Sequence, residues 1–280
     1  MVNINGNIVK SSSANLSIVN RGFTYGDSIF ETIKVNNKPL FWESHYFRLM
    51  SSMRILRMEI PMSFTPEFLE NEIMNLIRSL NLKSRSYRVK FYVYRKDGGF
   101  YTPKSSKIEY MISVTNLEHD LYYYDDSKYE IELFKDYLIA PNLLSSLKTN
   151  NKVLNVVGSI FAKENNYQNC LLLNTNKNII EALNGNVFLV KDKIIKTPPL
   201  SDGCLKGVLR NEIIKIINQS ENYDIDESSI SPFELQKADE IFITNVIQGI
   251  NSVTKYRKKI YTRNLSKELI KKLNLILRIS

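Results

Sequence analysis

Short β-rich runs and helix-like runs occur in both halves of the chain, but they do not alternate regularly. The first half combines the β-rich SYRVKFYVYR with the helix-like WESHYFRLMSSMRILRM, and the second combines NCLLLNTNKNII with KGVLRNEIIKIINQS. A doubly wound parallel sheet requires strands and helices to alternate along the chain. The order of these segments therefore predicts the α+β class.

The length of the chain predicts more than one hydrophobic core. At 280 residues it exceeds the usual size of a single core, and an apolar content of 43% is sufficient for two. We predict a small α+β domain over 1–117 and a connection over 118–124, where the run EHDLYYY lies. A larger domain over 125–280 completes this division.

Five segments have the length and residue types of helices. They cover 42–58, 66–80, 152–165, the run after Gly207 in KGVLRNEIIKIINQS, and the last half of the C-terminal segment 251–280. Near the N-terminus, Asn5-Gly6 between two β-rich triplets predicts a hairpin with a tight turn.

No apolar run approaches the roughly 20 residues that span a bilayer. The N-terminal MVNINGNIVKSS lacks the basic-then-apolar pattern of a secretory signal. The two cysteines, Cys170 and Cys204, are far apart in sequence. We therefore expect a soluble protein in the reducing cytoplasm.

Positive charge is concentrated at the C-terminus. The net charge is +9, and residues 251–280 hold nine Lys or Arg against the single acid Glu268, which gives +8 for that segment. Leu269, Leu273 and Ile276 recur on one face of the predicted helix, with lysines elsewhere. We interpret the lysines as the solvated face of a docked helix and expect no nucleic-acid partner.

Several common catalytic motifs are absent from the sequence. The two histidines, His45 and His119, are too few for an imidazole cluster, and no CxxC pair occurs, so we expect no metal. The sequence contains no GxSxG elbow, Walker loop or GxGxxG fingerprint. It therefore gives no support for the common classes of hydrolase, nucleotidase or dinucleotide-binding protein that these motifs indicate. We interpret His45 as structural and Asp125 and Asp126 as solvated.

Four segments in a fixed order remain. They are RGFTYGDSIFET (21–32), ESHYFRLMSSMRIL (43–56), LKTNNKVLN (147–155) and IIEALNGNVFLVKDKIIKTPPLSDGCLKGVLR (179–210). Together they resemble the class-IV aminotransferase family, which includes branched-chain and D-amino-acid aminotransferases and aminodeoxychorismate lyase. The resemblance implies a pyridoxal 5'-phosphate enzyme of the two-domain fold type IV, D-amino-acid aminotransferase-like, with the cofactor in the cleft between the domains.

The resemblance also implies roles for particular residues. Lys148 would form a Schiff base with the cofactor aldehyde, which requires a positioned and partly deprotonated amine, and the freed amine would then act as general base. Glu181 would keep the cofactor ring nitrogen protonated. Arg48 would pair bidentately with the phosphate.

The other implied site residues are a glycine at a helix start, two backbone donors that follow it, two loop residues and two substrate contacts. A glycine there allows close approach of the backbone, and helix N-terminal amides bind anions. The glycine is Gly207, and the backbone donors are Val208 and Leu209. The loop residues are Asn245 and Val246, and the substrate contacts are Tyr25 and Arg95.

The sequence departs from both aminotransferase subgroups. Branched-chain enzymes usually have a tyrosine five residues after the lysine and a Gly-Thr-Ala stretch in the late loop, where this chain has Val153 and Asn245-Val246-Ile247. D-amino-acid enzymes have an Arg and His trap for the substrate carboxylate, where this chain has Arg95 and no histidine. The Asn-led loop and LKTNN favour the lyase, whereas transamination is the commoner activity in the family.

Three functions stay open on the sequence. The first is an aminotransferase acting on a small, branched-chain-like amino acid and a 2-oxo acid, and the second is a lyase that converts aminodeoxychorismate to 4-aminobenzoate and pyruvate. The third is a non-enzymatic basic binding protein. The resemblance implies a homodimer, and we expect no membrane partner.

Overall fold

A computed structural model describes residues 1–80 and 84–279, which belong to two compact units. The first comprises Met1–Asp120 with Lys148–Asn151, and the second comprises Leu121–Leu147 with Lys152–Ser280. Lys148 therefore groups with the N-terminal unit, whereas the linear division of the sequence put it in the C-terminal domain. Both units mix helices and strands, which confirms the α+β class.

The N-terminal unit contains one six-stranded sheet. Its strands are β1 (Val2–Ile4), β2 (Asn7–Val9), β3 (Ser28–Asn36), β4 (Lys38–Pro39), β5 (Ser86–Arg95) and β6 (Ile108–Asn116). They are arranged in the order β2-β1-β6-β5-β3-β4, with every neighbouring pair antiparallel. The predicted Asn5-Gly6 hairpin is confirmed, because both residues take positive φ between β1 and β2.

Among the described residues of this unit, three segments are α-helices: α1 (Arg21–Tyr25), α2 (Trp42–Ile55) and α3 (Pro66–Ser79). The predicted helices over 42–58 and 66–80 are confirmed. α2 ends early because Arg57 takes a left-handed φ of 54°. The Thr65 side chain caps α3 and Pro66 occupies its first turn, which fixes where α3 begins.

Apolar residues of α2 and α3 pack with one face of the sheet in a single core. Ile29 and Ile33 of β3 belong to this core, together with Met53 of α2 and Ile73 of α3. Since side chains alternate along a strand, Glu31 shares the helix-covered face.

The C-terminal unit contains two five-stranded sheets. Their strands are β7 (Glu130–Ile139), β8 (Asn169–Asn174), β9 (Ile179–Ala182), β10 (Asn186–Lys191), β11 (Ile194–Thr197), β12 (Asp224–Glu227), β13 (Glu240–Asn245), β14 (Gly249–Ser252), β15 (Lys255–Tyr256) and β16 (Lys259–Ile260). One sheet has the order β12-β11-β10-β13-β14 and the other the order β16-β15-β7-β8-β9.

The helices of this unit are α4 (Val153–Glu164), α5 (Val208–Asn218) and α6 (Asn264–Ile279). Helix α4 confirms the prediction over 152–165, and α6 confirms the C-terminal helix. Leu269 and Leu273 are buried as predicted, but Ile276 is 40% exposed, because the apolar packing of α6 ends one turn earlier. In the parts of the chain that the structure describes, no helix is long and apolar enough to cross a membrane.

Candidate active site

Lys148 lies on a short extended segment beside the first half of β3. Strand β4 pairs only with Val35 and Asn36 of β3, so Ser28 and Phe30 are left to pair with the lysine segment. The Phe30 amide donates to the Lys148 carbonyl at 2.9 Å, and the Asn150 amide donates to the Ser28 carbonyl at 3.2 Å. Backbone hydrogen bonds at Lys148 itself and two residues after it therefore fix the position of this segment against the sheet.

The amine of Lys148 lies over an aromatic ring. Its Nζ is 4.6 Å from the centroid of the Phe30 ring. An aromatic face attracts a cation and also shields one side of it from water. This surrounding suits an amine that must be held in place and partly desolvated.

Arg48 of α2 forms a buried ion pair with Glu31 of β3. Its Nε donates to Oε1 of Glu31 at 2.7 Å, and its Nη2 donates to Oε2 at 2.5 Å. Burial alone would raise the pKa of Glu31, but the charge and hydrogen bonds of Arg48, aided by His45, lower it from the usual 4.5 to about 2. Glu31 is therefore ionised at neutral pH and holds the guanidinium in one orientation.

His45 is fully buried one helical turn before Arg48. Its Nδ1 is 2.7 Å from Oε2 of Glu31. Burial lowers the pKa of His45 in spite of the raising effect of that carboxylate, so the neutral ring donates its Nδ1 hydrogen to Glu31. Nε2 of His45 is buried without a hydrogen-bond partner among the residues that the structure describes. These contacts agree with the structural role expected from the sequence.

Arg95 ends β5, and all three of its guanidinium nitrogens make hydrogen bonds. Nε donates to Asp27 at 2.9 Å, Nη1 to the Arg57 carbonyl at 3.1 Å and Nη2 to the Leu56 carbonyl at 2.6 Å. The side chain is 7% exposed. This geometry fits a brace between β5 and the end of α2 better than a substrate contact.

Tyr25 is the last residue of α1, and its side chain is 39% exposed. The Arg21 guanidinium carbon lies 4.9 Å from the centroid of its ring, and the ring of Tyr101 is 5.8 Å away. Arg21 also donates to the carbonyl of Phe100 at 2.6 Å, so it holds the loop that carries Tyr101. The ring of Tyr25 is thus accessible, and Arg21 supports it.

Glu181 lies on β9 in the C-terminal unit, and only 9% of it is exposed. Its Oε2 accepts a hydrogen bond from the Leu205 amide at 2.8 Å. The turn after β9 is held by α4, because Nδ2 of Asn155 donates to the Leu183 carbonyl at 2.8 Å. The carboxylate is therefore buried and oriented by the backbone, unlike an exposed glutamate at a strand end.

Gly207 is the N-cap of α5 and makes no side-chain cap. A Cβ at this position would overlap Oδ1 of Asn186, whose Nδ2 donates to the Leu205 carbonyl at 2.8 Å. The next two residues, Val208 and Leu209, are buried in the first turn, where helix amides have no intrahelical acceptor. Such amides at a helix N-terminus bind anions.

Thr244 lies near the end of β13, which pairs with β10, the strand of Asn186. Thr244 is paired with Asn186 across β10 and β13, and its buried Oγ1 has no hydrogen-bond partner among the described residues. Oδ1 of Asn245 accepts from the amides of Ile247 at 3.1 Å and Gln248 at 2.9 Å. The Asn245 side chain therefore shapes the loop from within.

Each unit thus brings together part of the predicted residue set. Lys148 and Arg48 meet β3 in the N-terminal unit, at Phe30 and Glu31 respectively. In the C-terminal unit, Glu181 and Gly207 are linked through Leu205 and Asn186, and Thr244 follows on the adjacent strand.

Three of these residues were not identified from the sequence: Phe30, Glu31 and Asn186. The alternation in SIFETIKV could have placed Phe30 and Glu31 on opposite faces of one strand. The role of Asn186 depends on strand pairing between distant segments, which the sequence pattern does not specify.

The model of the amino-transferase class IV family matches residues 28–256, most of the chain. An aminodeoxychorismate lyase of Vibrio harveyi is 25% identical over 237 residues, covering 84% of this chain and 84% of that protein. A branched-chain-amino-acid aminotransferase of Escherichia coli K12 is 27% identical over 263 residues, covering 89% and 82%.

Solved structures of similar fold cover almost the whole chain. A branched-chain aminotransferase from Thermoproteus uzoniensis, in complex with norvaline, superposes with a TM-score of 0.89 at 20% identity and covers 99% of this chain and 94% of that one. A 4-amino-4-deoxychorismate lyase from Pseudomonas aeruginosa gives a TM-score of 0.82 at 24% identity, covering 100% and 99%. At these identities the superpositions confirm the fold predicted from the sequence.

Proposed function

This chain belongs to the class IV amino-transferase family, and on that premise we propose that it is a pyridoxal 5'-phosphate aminotransferase. It moves an amino group between a small, branched-chain-like amino acid and a 2-oxo acid, and Lys148 is the residue that carries the cofactor. One observation carries the proposal. The backbone of the Lys148 segment is hydrogen-bonded to β3, and its Nζ is held 4.6 Å from the Phe30 ring centroid.

The residues present fit the phosphate of this cofactor. The start of α5 offers the amides of Val208 and Leu209 beside Gly207, where no side chain caps the helix. Thr244 adds a buried hydroxyl without a partner among the described residues. Arg48 adds a guanidinium whose orientation is fixed by Glu31, and a fixed guanidinium can pair with a phosphate.

The reaction requires the cofactor as an electron sink and protein groups that control protons. When bound, pyridoxal phosphate withdraws electrons from the substrate α-carbon. The amine of Lys148 removes the α-proton and returns a proton as general base and acid. Glu181 favours the protonated ring nitrogen, because a buried carboxylate attracts a nearby positive charge more strongly than a solvated one.

We further propose that Tyr25 contacts the substrate, since its ring is accessible and Arg21 supports it. Arg95 was expected to contact the substrate as well. Because its guanidinium is bound to Asp27 and two backbone carbonyls, we propose instead that it supports, through Asp27, the end of α1 where Tyr25 lies.

Aminodeoxychorismate lyase is the second candidate. The Vibrio harveyi lyase matches 84% of this chain, and Val153 stands where branched-chain aminotransferases usually have tyrosine. Membership of an enzyme family argues against the third possibility, a basic binding protein without catalysis.

Half-reaction spectra test the proposed function. The purified protein is mixed with single L- and D-amino acids in the absence of a 2-oxo acid, and separately with aminodeoxychorismate. Accumulation of pyridoxamine phosphate with an amino acid alone supports transamination. Release of pyruvate and 4-aminobenzoate without that accumulation supports the lyase, and a protein without cofactor absorbance would contradict both.

We also propose a cytoplasmic homodimer. Val153, Val156 and Ile160 follow one face of α4 and are 76%, 56% and 51% exposed, so a strip of apolar side chains is available to a partner subunit. Cys170 and Cys204 are both free thiols, which suits a reducing compartment. Light scattering on the purified protein, with Val156→Glu as the disrupting variant, tests the dimer. A monomeric wild-type mass would contradict it.

A further inference from the structure

Tyr122 connects the C-terminal helix to the loop between β13 and β14. Its hydroxyl donates to the Val246 carbonyl at 2.7 Å. Its backbone is held on both sides by Asn274 of α6, since the Tyr122 amide donates to Oδ1 at 3.0 Å and Nδ2 donates to the Tyr122 carbonyl at 2.6 Å. Tyr122 lies within 118–124, the segment that the sequence predicts as the connection between the domains.

The ring of Tyr122 also packs against the far end of the same loop. Gly249 has a φ of 78°, and a Cβ built on it would lie 2.7 Å from Cδ1 of the ring. Tyr122 itself is 3% exposed. It therefore contacts the loop at Val246 and Gly249, on either side of Gln248, while Asn245 closes the loop from inside.

The helix that holds Tyr122 is itself anchored. Glu240 is buried and accepts hydrogen bonds from the amides of Leu265 and Ser266, the second and third residues of α6. Leu269 and Leu273 bury the apolar face of this helix. The C-terminal helix, whose lysines lie on its solvated face, can therefore serve as a fixed support for Tyr122.

We propose that Tyr122, held by Asn274, is a positioning residue that sets the Asn245–Gln248 loop for the cofactor phosphate. This inference rests on the proposed function, which assigns to the phosphate the start of α5 and Thr244, the residue directly before that loop. Without the hydroxyl, the Val246 carbonyl loses its tether, and the loop spends less time in the conformation that binds an anion. The apparent affinity falls in proportion to that fraction.

The test compares pyridoxal phosphate with pyridoxal, which lacks the phosphate. The full-length chain, freed of cofactor, is titrated with each ligand as wild type and as the variants Tyr122→Phe and Asn274→Ala. The control is Tyr123→Phe, because Tyr123 is the next residue in the chain and is 54% exposed. Loss of one hydrogen bond predicts about 3- to 10-fold weaker binding of pyridoxal phosphate to Tyr122→Phe. Pyridoxal affinity should stay within about twofold, because a tether that acts on the phosphate alone does not affect a ligand without one.

Each other outcome is decisive. If the wild type prefers pyridoxal phosphate and both Tyr122→Phe and Asn274→Ala keep the same ratio, the positioning role is wrong while the proposed function stands. Equal weakening of both ligands assigns Tyr122 a purely structural role and overturns the inference. A wild type that does not distinguish the two ligands contradicts the proposed function, and the inference falls with it. Asn274→Ala decides the matter if Tyr122→Phe does not fold.

Discussion

Replacement of Glu31 by glutamine tests the buried ion pair that orients Arg48. The substitution keeps the size of the side chain but removes the charge that accepts hydrogen bonds from Arg48 at 2.7 and 2.5 Å and from His45 at 2.7 Å. Arg48, with 11% of its side chain exposed, then has no carboxylate for its charge at this position. Breaking a buried pair by removal of one partner is strongly destabilising.

The pKa of Glu31 gives the expected magnitude. The carboxyl falls from the usual 4.5 to about 2, although burial opposes the fall. At 1.36 kcal/mol for each pKa unit, the native surroundings favour the ionised form by about 3 kcal/mol. Charge-assisted hydrogen bonds contribute about 1.5 to 3 kcal/mol each, which is consistent with that value. We therefore expect Glu31→Gln to lose about 3 kcal/mol of unfolding free energy at neutral pH.

A double-mutant cycle with Glu31→Gln and Arg48→Met measures this coupling by urea denaturation. The double variant should be less destabilised than the sum of the single variants, because it leaves no buried charge without its partner. Because the native pKa of Glu31 is lowered, its stabilisation is present above about pH 4.5 and is lost as the pH falls toward 2. The gap between wild type and Glu31→Gln should therefore close over that interval. Additive effects, or a gap that does not change with pH, would refute the reasoning.

Three further predictions concern the C-terminal unit. In Glu181→Gln, removal of the substrate α-proton should slow by orders of magnitude in stopped-flow measurements, with cofactor binding nearly unchanged. An unimpaired rate would show that Glu181 is not the partner of the cofactor ring nitrogen. Gly207→Ala should weaken pyridoxal phosphate binding in a titration, because the added Cβ overlaps Oδ1 of Asn186, and an unchanged affinity would show that the first turn of α5 does not bind the phosphate. Glu240→Gln should lower the unfolding free energy by about 1 to 3 kcal/mol, since it weakens the buried cap of α6, and a stability equal to wild type would argue against that cap.

Local patterns predicted much of the fold. The Asn5-Gly6 turn, the start of α3 at Pro66 and the apolar face of α6 as far as Leu273 are each specified by neighbouring residues, and each occurs as expected. Ile276 does not follow the pattern, because burial at the end of a helix depends on what lies opposite. A periodic sequence does not contain that information.

The candidate site divides in the same way. Lys148, Glu181 and Gly207 could be proposed from the sequence because each lies in a recognisable motif. The ion pair of Glu31 with Arg48 depends on which face of β3 meets α2, and the tie of Tyr122 to Val246 joins residues 124 positions apart. Arg95 was assigned to the substrate from its place after a strand. Its three hydrogen bonds, which the sequence pattern does not specify, support the proposal that it acts in the packing instead.

The most direct test of the account is the identity of the lysine that carries the cofactor. Purified holoenzyme is reduced with borohydride, digested, and mapped by mass spectrometry for the peptide that bears the reduced cofactor. The account predicts a single labelled residue, Lys148, and predicts that Lys148→Ala gives neither the label nor the cofactor's visible absorbance nor turnover. A label on any other lysine, or turnover by Lys148→Ala at the wild-type rate, would contradict it.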